Sequence, residues 1–347
     1  MEFYKKILIT GGAGFIGGAL VRKLLKETKC SIYNLDNLTY SGDISSINLL
    51  LKSLGSNTSE RYKFFKGDIS DKSIVDKVIQ ETQPEIIIHL AAETHVDQSI
   101  RFPEKFISSN ILGTFQLLQT SLNYYEKTNK YIKKRFKFIH VSTDEVFGSL
   151  NEEGYFNESS KYDPRSPYSA SKASSDHLVK AWFHTYGLPC VITNCSNNYG
   201  PWQNPEKLIP NTISKATLNK PIPIYGNGNN IRDWLYVDDH IDAITLVANK
   251  GLPGKSYCIG GNNEKTNLEV VNKTCEYLDK YIPKRYSYKS LIKFVKDRPG
   301  HDFRYAIDSS LIKKDLNWTP KHNFESGLEK TIDWYLKNKD WLKKNLD

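Results

Sequence analysis

An alternation limits most sharply what this chain can fold into. Short runs of apolar and β-branched residues, KILIT (6–10), SIYNLD (31–36), YKFFKGD (62–68), EIIIHLAA (85–92), FKFIHVS (136–142) and PCVITNCS (189–196), are separated by stretches that read as helices over 15–28, 73–82, 103–125 and 167–186. Strands apolar at successive positions are buried on both faces, and helical crossovers between parallel strands supply the two covering layers. The pattern predicts an α/β fold built on a doubly wound parallel sheet. Such sheets bind ligands beyond the carboxyl ends of their strands, so the residues that close each run are the candidates for chemistry.

The first crossover is ILITGGAGFIGGALVRKLL, which places Gly11, Gly14 and Gly17 at spacing three and also reads as G-x-G-x-x-G through Gly12, Gly14 and Gly17. It follows a strand and opens a helix, where glycines let the backbone approach a pyrophosphate that faces the helix N-terminus. A glycine cluster alone describes a tight turn equally well. The second strand, however, ends in Asp36, nineteen residues after Gly17, where an acid can accept hydrogen bonds from an adenosine ribose diol. The pair predicts a Rossmann dinucleotide site, and a carboxylate that repels a 2′-phosphate favours NAD over NADP.

Beyond about residue 199 the rhythm loosens, with Gly and Pro clustered in NYGPWQNPEKLIP and KPIPIYGNGNN. The expected organisation is a dinucleotide-binding domain over 1–198, with 229–262 returning to it, and a second, smaller substrate-binding lobe mainly within 199–347. No run approaches the roughly 18 to 20 apolar residues of a membrane span, and no signal peptide precedes the first strand, so a cytoplasmic protein is expected. Cys30, Cys190, Cys195, Cys258 and Cys275 lack C-x-x-C spacing and predict buried thiols, with no metal site. The net charge of +9 is concentrated in KTNKYIKKRFK, which reads as a solvated connection; no nucleic-acid motif accompanies it.

Two further stretches carry chemistry. PRSPYSASKASSDHLVKAW sets Tyr168 and Lys172 four apart on one helix face, behind Ser166 as N-cap and Pro167 as first helical residue. An ammonium beside a phenol stabilises the phenolate, and a positive nicotinamide ring adds to that, so Tyr168 is expected below its usual value near 10 and able to act as a base. HVSTDEVFG closes the fifth strand with Thr143, Asp144 and Glu145. Two carboxyl groups in different protonation states suit an elimination, one removing a proton and the other protonating a departing hydroxyl. Alone, such a pair reads rather as a capped turn beside a solvated acid.

Across nearly the whole length, GGAGFIG, LDNLTYSGD, HLAAETHVDQSI, STDEVFG, SPYSASKASSDHLV, TNCSNNYGP, PEKLIP, IRDWLYVDDH and DRPGHDFRYAID resemble the dTDP-glucose 4,6-dehydratases, a family within the extended short-chain dehydrogenase/reductases. The resemblance implies a lyase with tightly bound NAD, acting in deoxysugar biosynthesis. It implies that Tyr168 takes the glucosyl O4 proton as C4 loses hydride to NAD, with Lys172 tuning the phenol and Thr143 bonding the reacting oxygen. Glu145 then removes the C5 proton, Asp144 protonates the C6 hydroxyl, and hydride returns to C6.

Around NAD the resemblance places Phe15, Ile16, Asn37, Leu38 and Thr39 with the glycines and Asp36. It adds Asp68, Ile69, Leu90, Ala91, Ala92 and Thr94, then Ser109 and Asn198, with Tyr168 and Lys172 at the reacting end. Around the nucleotide sugar it implies Thr94, Thr143, Asn197, Lys207 and Leu208, then Pro223, Ile224, Tyr225, Arg232 and Asn267. Asp297, Arg298, Pro299, Gly300 and His301 complete that set. Arg232 and Lys207 suit a diphosphate, because paired cations match its charge. Departures stand at Gly18, Thr94 and Phe147, where Ser, Ser and Tyr are common, and at Trp202 and Asn204. Family members pair through two helices per subunit, which here implies a homodimer through 103–125 and 167–186. A UDP-glucose 4,6-dehydratase is the nearest alternative, a 4-epimerase has no use for the two acids, and a non-catalytic NAD-binding sensor is the reading from another class.

Overall fold

The computed structural model describes residues 4–344. The domain expectations ran from 1 to 347, and residues 1–3 and 345–347 lie outside that range.

Seven strands form the main sheet, all parallel, in the order β10-β6-β5-β4-β1-β2-β3. They are β1 (Lys6–Thr10), β2 (Ser31–Asp36), β3 (Tyr62–Lys66), β4 (Ile86–His89), β5 (Lys137–Thr143), β6 (Cys190–Cys195) and β10 (Ser256–Ile259). Ile7, Leu8, Ile9 and Ile86 to Ile88 have no exposed surface, as strands covered on both faces require. The strands at 62–68 and 85–92 end sooner than their apolar runs. Gly67 and Asp68, and Leu90 to Thr94, thus become loops at the sheet's carboxyl edge.

After Ser196 the chain leaves this sheet. β7 (Asn197–Tyr199) pairs with β9 (Ile231–Tyr236), which pairs antiparallel with β11 (Glu264–Thr266); β8 (Ile222–Tyr225) and β12 (Ile292–Val295) form a parallel pair. A separate core of Ile209, Ile213, Val270, Leu278, Leu328 and Tyr335 holds these elements together. The chain nevertheless recrosses. Helix Val237–Lys250 and β10 pack into the main core with Tyr257 and Ile259, and so do Ile312, Leu316 and Trp318 from much later. The Tyr4 hydroxyl donates to the Ala248 carbonyl at 2.9 Å, closing the N-terminal strand onto that returning helix.

Two helices position the site. Pro167–Tyr186 starts with a capping box between Ser166 and Ser169, carries Pro167 in its first turn, and stops at Gly187 in the left-handed region at φ 68°. The helix expected over 103–125 runs to Lys127 and is not regular: Pro103–Phe106 and Gly113–Lys127 are α-helical, with a π-helical segment, Ile107–Leu112, between them. Asn110 lies in that segment, its side chain bonded to both backbone groups of Glu93 and to the Ser171 hydroxyl. These bonds reward the wider turn.

Candidate active site

The glycine loop is held by close approach. Gly11 has φ +75°, and a Cβ there meets the Ala91 nitrogen at 2.5 Å; a Cβ on Gly17 meets the Gly11 oxygen at 2.1 Å. At Gly14 only the Gly11 oxygen comes near, at 3.3 Å, which leaves the helix entrance open as a cradle. No side chain caps helix Phe15–Glu27 and no acid stands in its first turn, so its N-terminus remains available to an anion.

Asp36 lies beside this entrance, but it is not idle: Oδ2 accepts the Ala13 N–H at 2.9 Å and Oδ1 the Leu38 N–H at 2.8 Å. Burial raises its carboxyl group and the two N–H bonds oppose that. A carboxylate so fixed keeps lone pairs for a ribose diol. Leu38, expected against the cofactor, does not line the cleft; with φ 54° it turns its N–H back onto Asp36. Asp68 does line it and also holds its own turn, accepting from Ser70 and from the Asn37 side chain.

A cleft of about 910 Å³ runs along the carboxyl edge of the sheet. It brings together Gly11, Gly14, Phe15, Ile16 and Gly17 with Asp36, Asn37, Thr39, Asp68 and Ile69. Leu90, Ala91, Ala92, Thr94, Ser109 and Asn198 line it further along, and Thr143, Asp144, Glu145, Tyr168 and Lys172 stand at its inner end. The residues present fit a dinucleotide.

At the inner end β5 runs into a single 3-10 turn, Asp144–Phe147, with the Thr143 side chain accepting the Glu145 N–H. The Thr143 hydroxyl also lies 3.2 Å from Asp144 Oδ1. Asp144 is 1% exposed. Burial, then the neighbouring Glu145 charge, lifts its carboxyl well above the usual range, which favours its protonated form. Burial raises Glu145 too, but Arg232, Lys207 and Arg298 pull it back. Both carboxyls are raised, Asp144 the further, and more cations oppose burial at Glu145 than at Asp144.

Tyr168 and Lys172 share a buried helix face, as their spacing predicted. The expected lowering of Tyr168 is not what these residues produce: burial and the Glu145 charge hold its phenol well above the usual value, with a hydrogen bond from Thr143 opposing them. Lys172 donates to the Val141 carbonyl at 3.0 Å. Burial is the larger influence on the phenol, and the Glu145 charge adds to it.

The substrate set divides. Thr94, Asn197 and Lys207 line the cleft with Thr143, whereas Leu208, Pro223 to Tyr225, Arg232, Asn267 and Asp297 to His301 do not. Arg298 bonds Asp97 through Nε at 2.6 Å, and the Tyr225 hydroxyl lies 3.4 Å from the same carboxylate, so this group ties the second lobe to the first. The His301 imidazole is bonded to Asp297 at 2.7 Å. Arg232 is buried over the Tyr305 ring, its nitrogens on the carbonyls of Ile231, Asp302 and Phe303. It acts on Glu145 by charge rather than standing free for a diphosphate.

Sequence reasoning missed part of the wall. Tyr40 reaches Glu206 across the cleft at 3.2 Å, and His95 lies 3.4 Å from the same carboxylate. Trp341 also lines the cleft, donating to Asp43 at 2.9 Å and packing with Trp202 and Trp334. LTYSGD and HLAAETHVDQSI bracketed the first of these; nothing local marked Trp341.

Fold and cleft together are those of a dinucleotide-dependent enzyme of the Rossmann type. The GDP-mannose 4,6 dehydratase family model matches residues 8–331, and the chain belongs to that family. It is 51% identical over 346 residues to the dTDP-glucose 4,6-dehydratase of Shigella flexneri, covering 97% of this chain and 94% of that protein. Among solved structures, the Bacillus anthracis dTDP-glucose 4,6-dehydratase in complex with NAD superposes with TM-score 0.85 at 43% identity, covering 98% of this chain and 99% of that one. The Streptomyces venezuelae enzyme of the same name, with NAD and TYD bound, gives 0.88 at 38%, with the same coverage.

Proposed function

We propose that this chain is an NAD-dependent lyase that converts dTDP-glucose to dTDP-4-keto-6-deoxyglucose. The observation that carries the reading is the juxtaposition of Asp144 and Glu145 in one cleft with Tyr168 and Lys172, the two acids in different charge environments. NAD, held by the glycine loop and Asp36, supplies the hydride acceptor for C4 and the hydride donor for C6. Tyr168 takes the O4 proton, with Thr143 bonding the same oxygen and Lys172 stabilising the phenolate. Oxidation at C4 acidifies the C5 proton, which Glu145 removes and gives back to C5 when hydride reaches C6. Asp144 gives its proton to the C6 hydroxyl, which leaves as water. Each cycle starts and ends with the oxidised cofactor, so no second redox substrate is consumed.

Burial raises both acids, Asp144 the further, and at Glu145 Lys207 and Arg298 join Arg232 in opposing it. We read residues 1–198, joined by the returning segment within 229–262, as the cofactor domain and the rest as the sugar-nucleotide lobe. Ile107 and Leu112, each about half exposed on the irregular helix, support pairing of two copies across 103–127 and 167–186. Among the described residues no helix is long and apolar enough to cross a membrane, which fits a cytoplasmic site of action. The test offers dTDP-glucose and UDP-glucose separately to the purified protein without added reductant. Preferential loss of water from dTDP-glucose supports the reading; preference for UDP-glucose moves the base assignment; dinucleotide binding without turnover of either favours a sensor.

A further inference from the structure

Lys172 is 4% exposed, and the hydrogen bond it makes is to a neutral carbonyl. A buried ammonium needs a counter-charge, and among the described residues the carboxylate acting on it is Asp176, one helical turn further along, fully buried and outside the cleft wall. Asp176 is the centre of a built network. Its Oδ2 accepts from the Tyr162 hydroxyl at 2.9 Å, the Ser142 hydroxyl at 3.0 Å and the Asn194 amide at 3.1 Å, and its Oδ1 lies 3.2 Å from His140 Nε2. Three donors from three segments fix this carboxylate to the ends of β5 and β6.

We propose that Asp176 is the buried counter-ion of Lys172, a positioning residue that acts on Tyr168 only through that lysine. The inference rests on the catalytic reading of Tyr168 and Lys172 above. The other titratable groups on these elements do not take over the role. His140, across from both residues on β5, is held down to about 4 by burial and then by the Lys172 charge, and His89 behind it is lowered by burial, then by His140 and Lys172. Cys195 on β6 is pushed up to about 12 by burial, so it stays a neutral thiol. Burial works against ionising Asp176, yet His140, Lys172 and Ser142 together bring its carboxyl below the usual range. Lys172 is itself lowered by burial, with Asp176 the first group opposing that. The negative charge one turn behind the lysine therefore keeps a positive one near the phenol.

The experiment compares holoenzyme carrying Asp176→Asn, Lys172→Met, and both. In Asp176→Asn, kcat at neutral pH is expected to fall about tenfold with KM little changed, and the alkaline limb of the kcat profile to move down by about one pH unit, because Lys172 then loses its proton sooner. Asp176→Glu is expected to return the limb partway. In the Lys172→Met background, Asp176→Asn should change kcat less than about twofold, since no cation remains to support. A profile of wild-type shape, or an additive loss in that background, overturns the proposal. Melting temperatures of the four proteins need no substrate: the double variant is expected to melt above Asp176→Asn alone. Failure of the single variant to fold that Lys172→Met cures supports the pairing, and failure in both backgrounds overturns it. If the wild-type protein dehydrates neither sugar nucleotide, the proposed function falls while this melting cycle still decides whether the two charges are coupled.

Discussion

Replacing Glu145 by Gln separates oxidation from elimination. The substitution keeps the length of the side chain, and the bond from the 145 N–H to the Thr143 hydroxyl, 3.3 Å, belongs to the backbone and survives. What disappears is a proton acceptor and one negative charge. A positioned general base contributes about 10²- to 10⁴-fold, so kcat is expected to drop by that factor, or roughly 3–6 kcal/mol at about 1.4 kcal/mol per tenfold. The missing charge also relieves Asp144 and Tyr168, both of which Glu145 raises. C4 oxidation should therefore persist while C5 stops exchanging. The assay follows dTDP-glucose by mass in heavy water: the variant is expected to lose C5 deuterium uptake and to retain a C4 ketone with its C6 hydroxyl intact. Turnover within threefold of wild type, or loss of the C4 ketone along with the exchange, refutes the assignment of Glu145 as the C5 base.

Tyr168→Phe is expected to abolish both the C4 ketone and C5 exchange while cofactor content, measured after denaturation, stays at the wild-type level. Asp144→Asn mimics the protonated acid. Between the usual carboxyl value and the raised one, the folded chain holds a proton that the unfolded chain has released, so wild-type stability falls as pH rises through that window. The variant should melt higher than wild type at neutral pH, and the difference should close as pH falls toward about 4. Gly17→Ala forces a methyl against the Gly11 oxygen at 2.1 Å, in a place where only backbone can yield. Overpacking of this kind costs about 1–3 kcal/mol, and thermal unfolding with and without NAD should show both a lower melting point and little rescue by cofactor. Trp341→Ala removes the Asp43 bond and two indole contacts, and dialysis should strip NAD faster than from wild type.

Much of the fold was legible because its signals are local. Continuous apolar runs such as Ile86 to Ile88 can only be strands covered on both faces, and Ser166-Pro167 ahead of Tyr168 announces a helix start by its own chemistry. Asp36 and Thr143 to Glu145, at strand ends, followed from that topology, whereas Asp68, Leu90 to Thr94 and Ser109 came only with the family resemblance. Less legible was anything set by charges converging from distant segments. Tyr168 reads as a lowered phenol beside Lys172, but burial and the Glu145 charge from the turn after β5 hold it above the usual value. Arg232 reads as a phosphate partner, yet the loop through Asp302 and Phe303 turns its nitrogens onto carbonyls. The π-helical segment at 107–112 depends on bonds from Asn110 to Glu93 and Ser171, which no periodicity carries. Trp341 reaches the cofactor cleft from the far end of the chain.

The order of strands in the main sheet has a consequence for how the protein is made. β6 is finished at Cys195, but its outer neighbour β10 begins at Ser256, so an emerging chain presents β6 as a bare edge until the segment between them has been synthesised. At about 5–20 residues per second that wait is on the order of 3–12 s. CVITNC carries no lysine or proline to blunt pairing with another chain, the usual protection of an exposed edge. A nascent chain in this interval is a natural client for a chaperone, and a message truncated before residue 256 yields a product whose sticky border never closes.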